Sequence, residues 1–230
     1  MMAKPAVRYS IDLDQISLDE FKTILTTIDL LPGRRILLDN LSEVVERLKE
    51  DGIGHLAVLQ KTLKNKHRYS ELAKAWSVSV DYITVLNREI NSYVSKPVSI
   101  SELDVFSRTD IEHLAQEGIK TTRDLYVQCL TKTARRALSA RLSLSGDQLE
   151  IALELADLLR INGVGPVYAK ILREIGIRSA SNYRETASQD ILERYLRAND
   201  EKGYTKVRLS IDDVEYCKRF CDKLPNEIEW

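Results

Sequence analysis

The sequence predicts an all-α protein of three similar helical units preceded by an N-terminal helix and arm. Three observations predict it. Glycine and proline are sparse, nine and five in 230 residues. Apolar residues recur at helical spacing behind serine caps. And the chain resembles itself when shifted by 66 residues.

The repeat organises the chain. At an offset of 66, nine positions between 37 and 81 are identical, among them Leu48/Leu114, Gly52/Gly118, Ile53/Ile119, Ser79/Ser145 and Asp81/Asp147. Composition alone would give roughly three. A third copy follows, with Gly176-Ile177 at an offset of 58 from Gly118-Ile119 and Ser210 at 65 from Ser145. The seven-residue difference falls in the polar stretch Ala198 to Tyr204, which reads as a loop. The resulting division is 1–35 for the arm and first helix, then 36–98, 99–160 and 161–230 for the three units.

Each unit reads alike. A short amphipathic helix ends at Gly-Ile, where glycine suits the left-handed position just past the helix. One or two helices follow. Then Ser-x-Asp, at Ser79, Ser145 and Ser210, opens a longer helix, because serine satisfies a free amide and aspartate favours the positive end of the dipole. The long helices carry apolar faces at Leu149, Ala152, Leu153, Ala156 and Leu159, and at Val214, Cys217, Cys221 and Leu224. Ahead of the repeats, Ser17 and Glu20 open a helix with Phe21, Ile24, Leu25 and Ile28 on one face, and Pro32-Gly33 ends it. Tyr9, Ile11 and Leu13 alternate with polar residues, as in an extended arm expected to lie on the first repeat.

Composition limits function. Lys plus Arg is 34 and Asp plus Glu is 35, a net charge of −1. A chain that coats DNA is usually strongly basic, so any nucleic-acid site is local. Three cysteines form no framework and suit a reducing compartment. Residues 1–10 have no apolar core, so no signal peptide is expected, and the longest apolar run falls far short of the about 20 residues of a membrane span. A cytoplasmic location follows as an expectation. No nucleotide loop, nucleophile-base pair or metal cluster is visible, and His55, His67 and His113 are scattered. The expectation is a protein that is not an enzyme, with no cofactor, no catalytic residue and no metal. Cys217 and Cys221 share an apolar helix face and read as core thiols.

The third unit begins Leu158-Leu159-Arg160-Ile161-Asn162-Gly163-Val164-Gly165-Pro166-Val167-Tyr168-Ala169-Lys170. A helix, a Gly-x-Gly turn and a second helix beginning at proline resemble the helix-hairpin-helix motif. With its Leu-Leu-Arg-Ile lead-in and closing Gly-Ile, the pattern over about residues 36 to 225 resembles the family named domain of unknown function 4332. The resemblance implies tandem helix-hairpin-helix repeats. In DNA-binding members of the wider group, amides at the start of the second helix receive a phosphate.

The candidate nucleic-acid site is therefore Arg160, Gly163, Val164, Gly165, Val167, Lys170 and Arg173. Residues 155–184 carry five positive and two negative side chains, +3 in all. Two more basic clusters follow the earlier Gly-Ile turns: Lys61, Lys64, Lys66 and Arg68, and Lys132, Arg135, Arg136 and Arg141. They form either one basic stripe or ordinary solvated helix faces. Against a phosphate grip, Val167 stands where DNA-binding hairpins carry Lys or Arg. Pro166 has no amide, and the earlier hairpins, Asp39-Asn40-Leu41 and Asp104-Val105-Phe106, lack glycine. Two partners remain open: duplex DNA or another nucleic acid held by its backbone, or a protein on a scaffold that has lost the DNA site.

Overall fold

A computed structural model of the chain describes residues 7–230. What the first six residues suggested about targeting, and the start of the N-terminal arm, lies outside them. The described residues contain thirteen α-helices, short 3-10 turns and no β-strand, only two isolated bridges. The chain forms two compact units: Asp12–Val94, and Ser95–Trp230 together with residues 7–11. No described helix is long and apolar enough to cross a membrane.

The unit 12–94 holds α1 (Leu18–Thr27), α2 (Leu41–Glu50), α3 (Leu56–Leu63), α4 (Tyr69–Ala75) and α5 (Val80–Ser92). Its core is the expected apolar face of α1, through Phe21 and Leu25, with Leu48, Leu56, Leu59, Leu63, Trp76, Ile83 and Ile90. Trp76 is buried, and its indole N–H donates to Asp51 Oδ2 at 2.6 Å. That satisfies the one polar atom such a ring takes into a core.

The unit 95–230 holds α6 (Arg108–Gln116), α7 (Thr122–Gln128), α8 (Lys132–Leu142), α9 (Gly146–Leu158), α10 (Pro166–Glu174), α11 (Ala180–Glu185), α12 (Ser188–Lys202) and α13 (Ile211–Cys221). Helices α7, α8 and α10 all pack on α9. Residues Ala152 to Leu158 of α9 are consequently buried without interruption. An amphipathic helix shows one buried stripe, whereas one covered on all sides is the centre of its unit.

Helix ends follow local chemistry. After α2, α6 and α10 the glycine has positive φ: 76° at Gly52, 78° at Gly118 and 88° at Gly176. The next amide reaches back to the helix: Ile53 to Leu48 O at 2.9 Å, Ile119 to Leu114 O at 2.8 Å, Ile177 to Leu172 O at 2.9 Å. This is the Schellman closure, which uses two otherwise orphaned carbonyls. Two helices follow each of these turns, and then a capped helix: α5, α9 and α13. Ser79 accepts from Tyr82 N at 3.0 Å, Ser145 from Gln148 N at 3.2 Å and Ser210 from Asp213 N at 3.2 Å. The last two are reciprocal capping boxes.

Three expectations need correction. Pro32-Gly33 does not end α1, which stops at Thr27 with Ile28 as its cap; the proline instead opens a 3-10 stretch, Pro32–Leu38, as its fixed φ favours. The stretch Ala198 to Tyr204 is mostly helical: α12 runs to Lys202, Gly203 ends it, and the irregular segment is 203–210. Polar composition there marks a solvated helix face, and only the glycine marks the break. The arm does not lie wholly on the first repeat. Tyr9 belongs to the unit 95–230, where its hydroxyl lies 2.8 Å from Thr122 Oγ1 and its ring packs edge-on against Tyr126. Leu13 sits in a 3-10 turn beside α3.

Replacing Ser145 by alanine leaves the Gln148 amide without its cap, and the expected loss is about 1 kcal/mol. A denaturant midpoint unchanged in Ser145→Ala would show that the cap contributes nothing.

Candidate binding surface around the third hairpin

Helix α9 ends at Leu158, and seven residues lead to α10. Gly163 turns the chain at φ 94°. A Cβ there would lie 2.7 Å from Cys217 Sγ and 3.3 Å from the Tyr216 ring. Glycine is thus needed twice over, for its dihedral and because α13 presses against the turn. Asn162 fastens the same contact by donating to Tyr216 O–H at 2.7 Å. Val164 is buried. Gly165 differs: its φ is an ordinary −94°, and nothing lies within 4 Å of where a Cβ would be. The earlier hairpins reach the left-handed region without glycine, at Asn40 (φ 51°) and Asp104 (φ 54°). Asn and Asp are the residues that tolerate it best after glycine.

The cations named from sequence are already engaged. Arg160 is 2% exposed. Its guanidinium pairs with Asp157 and donates to Tyr9 O at 2.9 Å and Pro225 O at 2.6 Å. The same group lies 4.3 Å from the centre of the Tyr126 ring. It is a core residue and reaches no phosphate outside, which removes it from the candidate site. Lys170 pairs with Asp104. Arg173 donates to Glu154 Oε2 at 2.6 Å, and Arg178 stands 3.8 Å from the other oxygen of that carboxylate. The local +3 is met by three carboxylates just outside residues 155–184: Asp104, Glu154, and Glu185, 3.8 Å from Arg184. What remains in the open is Gly165, the first turn of α10 and Val167, 48% exposed.

The second basic cluster changes too. Arg135 is buried, donating to Glu150 at 2.6 Å, Cys129 O at 2.9 Å and Glu229 O at 2.6 Å. Arg141 pairs with Glu117 at 2.7 Å.

Residues that sequence reasoning passed over hold this region together. Asp157 is fully buried, takes the Ala180 amide at 2.7 Å and faces Arg160. Burial pushes its carboxyl up, and the guanidinium beside it pulls it down. The i,i+3 spacing of Asp157 and Arg160 is legible in the sequence, but it reads equally as an exposed pair. Tyr168 and Tyr183 share a hydrogen bond of 3.0 Å beside Cys217. Cys129, Cys217 and Cys221 are buried free thiols. Burial pushes Cys129 and Cys217 up to about 12.

Arg160→Ala strands the Asp157 carboxylate in the core, and the expected loss is about 3–5 kcal/mol in denaturant unfolding. A loss under about 1 kcal/mol would mean the pair is not structural. The thiols set an alkaline limit. An unfolded thiol titrates near 8.5, whereas folded Cys129 and Cys217 hold their protons to about 12. Stability contributed by the neutral thiols is complete below the unfolded value and falls as pH rises from about 8.5 toward about 12. Unfolding midpoints for wild type and a Cys129→Ala/Cys217→Ala double variant should converge in slope if this is wrong.

No curated protein and no solved structure matches the chain. A family model does, the one described as domain of unknown function (DUF4332), and it covers residues 106–222. The match takes in α6 to α13 with the hairpin between α9 and α10. With 117 of its 230 residues matched, the protein belongs to the DUF4332 family.

Proposed function

We propose that the chain is a non-catalytic binding module of three tandem helix-hairpin-helix units, 36–98, 99–160 and 161–230, acting as a protein-interaction scaffold in a reducing cell interior. The shared order of short helix, Gly-Ile turn, two helices and capped helix supports the tandem reading. The observation that carries the scaffold reading is at the third hairpin. Its cations are spent on Asp157, Asp104 and Glu154, while Val167 faces solvent. A phosphate grip needs uncommitted positive charge, because that charge supplies most of the affinity for a nucleic-acid backbone. A protein contact needs exposed apolar anchors. Among the described residues, five of the ten exposed large apolar side chains, Val167, Tyr204, Val207, Ile211 and Trp230, lie in the last seventy.

One observation favours the phosphate reading of the same hairpin. Gly165 leaves open space at the start of α10, and the first-turn amides of Val167 and Tyr168 have no carbonyl partner within the helix. Without Arg160, and with Lys170 and Arg173 paired, that grip would rest on backbone dipoles alone.

Gly165→Val separates the two. The backbone there accepts any residue, so the variant folds, and a branched side chain then occupies the space a phosphate would need. The scaffold reading expects duplex-DNA binding at about 50 mM salt to be the same in wild type and variant. It also expects a photo-cross-linker in place of Val167 to give discrete protein adducts and none with DNA. Loss of duplex binding in Gly165→Val would overturn the scaffold reading of this hairpin and establish the phosphate grip.

A further inference from the structure

Three cations without an acid partner lie together in the unit 12–94. From Gly52 to Ser70 there is no Asp or Glu, while Lys61, Lys64, Lys66 and Arg68 and two histidines fall within those nineteen residues. Lys61, Lys64, Lys66, His67 and Arg68 are all exposed. Arg68 pairs with Glu71 at 2.9 Å. Among the described residues no carboxylate comes within 4.0 Å of Lys61, Lys64 or Lys66. This is the reverse of the third hairpin, where each cation has its acid.

The backbone beneath the patch is fixed. Lys61 and Lys64 occupy the last turn and cap of α3, the negative end of the helix dipole. Asn65 then caps a 3-10 turn of Lys66, His67 and Arg68, accepting from His67 N at 3.1 Å. Tyr69 anchors the turn from below by donating to Leu63 O at 3.1 Å. Lys61 and Lys64 are three apart, so they project side by side.

We infer that this face, Lys61, Lys64 and Lys66, is a polyanion-binding site that takes the phosphate backbone of duplex nucleic acid without reading its sequence. The partner class follows from what surrounds the charges. A single strand is held by exposed aromatic rings on which bases stack, and the aromatic side chain in this segment, Tyr69, is buried. A membrane surface needs an apolar helix face free to insert, yet Leu56, Leu59 and Leu63 of α3 are committed to the core. An acidic peptide is anchored by side chains in pockets, and the pocket of this unit lined by Lys22, Thr26, Leu38 and Leu41 includes none of these cations. A duplex presents one charge per about 1.7 Å of axis and asks only for fixed cations. The site goes beyond the scaffold reading and is independent of it, since it lies in the other unit.

The test is anisotropy of a labelled mixed-sequence DNA duplex of about 20 base pairs with the full chain at about 50 mM salt. Micromolar binding is expected. Lys61→Glu/Lys64→Glu should weaken it at least tenfold and reduce the log–log salt slope by about 2. Both side chains are exposed, and circular dichroism verifies that the variant is folded. Gly165→Val serves as the control and should leave this binding intact. Three outcomes overturn the inference: no duplex binding by wild type; binding insensitive to the double charge reversal in a folded variant; or tighter binding to single-stranded DNA, phosphatidylserine vesicles or polyglutamate than to duplex. Loss in Gly165→Val with no loss in the double variant would defeat both this site and the scaffold reading, whereas absent duplex binding defeats this site alone.

Discussion

The unit formed by residues 95–230 and 7–11 depends on one ion pair. Arg160 and Asp157 are both buried at the end of α9, and neither charge has water to fall back on. Taking two charges out of water costs several kcal/mol each, so the pair persists only with further hydrogen bonds to both partners. Those secondary bonds tie the unit together. The guanidinium takes the Tyr9 carbonyl, 151 residues away, and the Pro225 carbonyl near the C-terminus. The Arg160 carbonyl takes Ser95 Oγ, and the Asp157 carboxylate takes the first-turn amide of α11. Tyr126 and Tyr9 cover the guanidinium with their rings. The arm, the start of the unit, the hairpin and the C-terminal tail thus converge on one charge.

That convergence explains why the third hairpin is a poor electrostatic grip. An arginine two or three residues before a Gly-x-Gly turn suggests a phosphate partner when seen alone. Here it is the hub of a core, and Gly163 is glycine because Cys217 leaves no room for a side chain. Lys170 and Arg173 face carboxylates supplied by Asp104 and α9. Positive charge matched this closely stabilises packing and has little left for a ligand. The contrast with Lys61, Lys64 and Lys66 is one of partners, since the residue types are the same.

Glycine-free hairpins carry a related lesson. Asn40 and Asp104 adopt left-handed conformations near the place of Gly163 in the third copy, each one residue from the aligned positions Asp39 and Val105. The turn needs the dihedral, and Asn or Asp supplies it at modest strain. Only where a second helix presses on the turn does glycine become obligatory for space.

The sequence by itself determined the all-helical class, the Gly-Ile helix ends, the serine caps and the apolar faces of α1, α9 and α13. These are set by hydrogen bonds and side-chain spacings within about six residues, so the chain order contains them. The candidate site was legible as a turn and a set of residue types, and there the legibility stopped. Whether Arg160 is a ligand contact or a core ion, whether Lys170 is available, and where Tyr9 docks depend on groups 66 to 151 residues distant. Local charge counting had no access to them. The α12 extension through Lys202 was missed because a solvated helix and a loop share the same polar composition, and only packing against α10 and α13 distinguishes them. Tertiary structure decided which charges are spent and which remain, because an ion pair is a property of two places in the fold and the sequence names only one at a time.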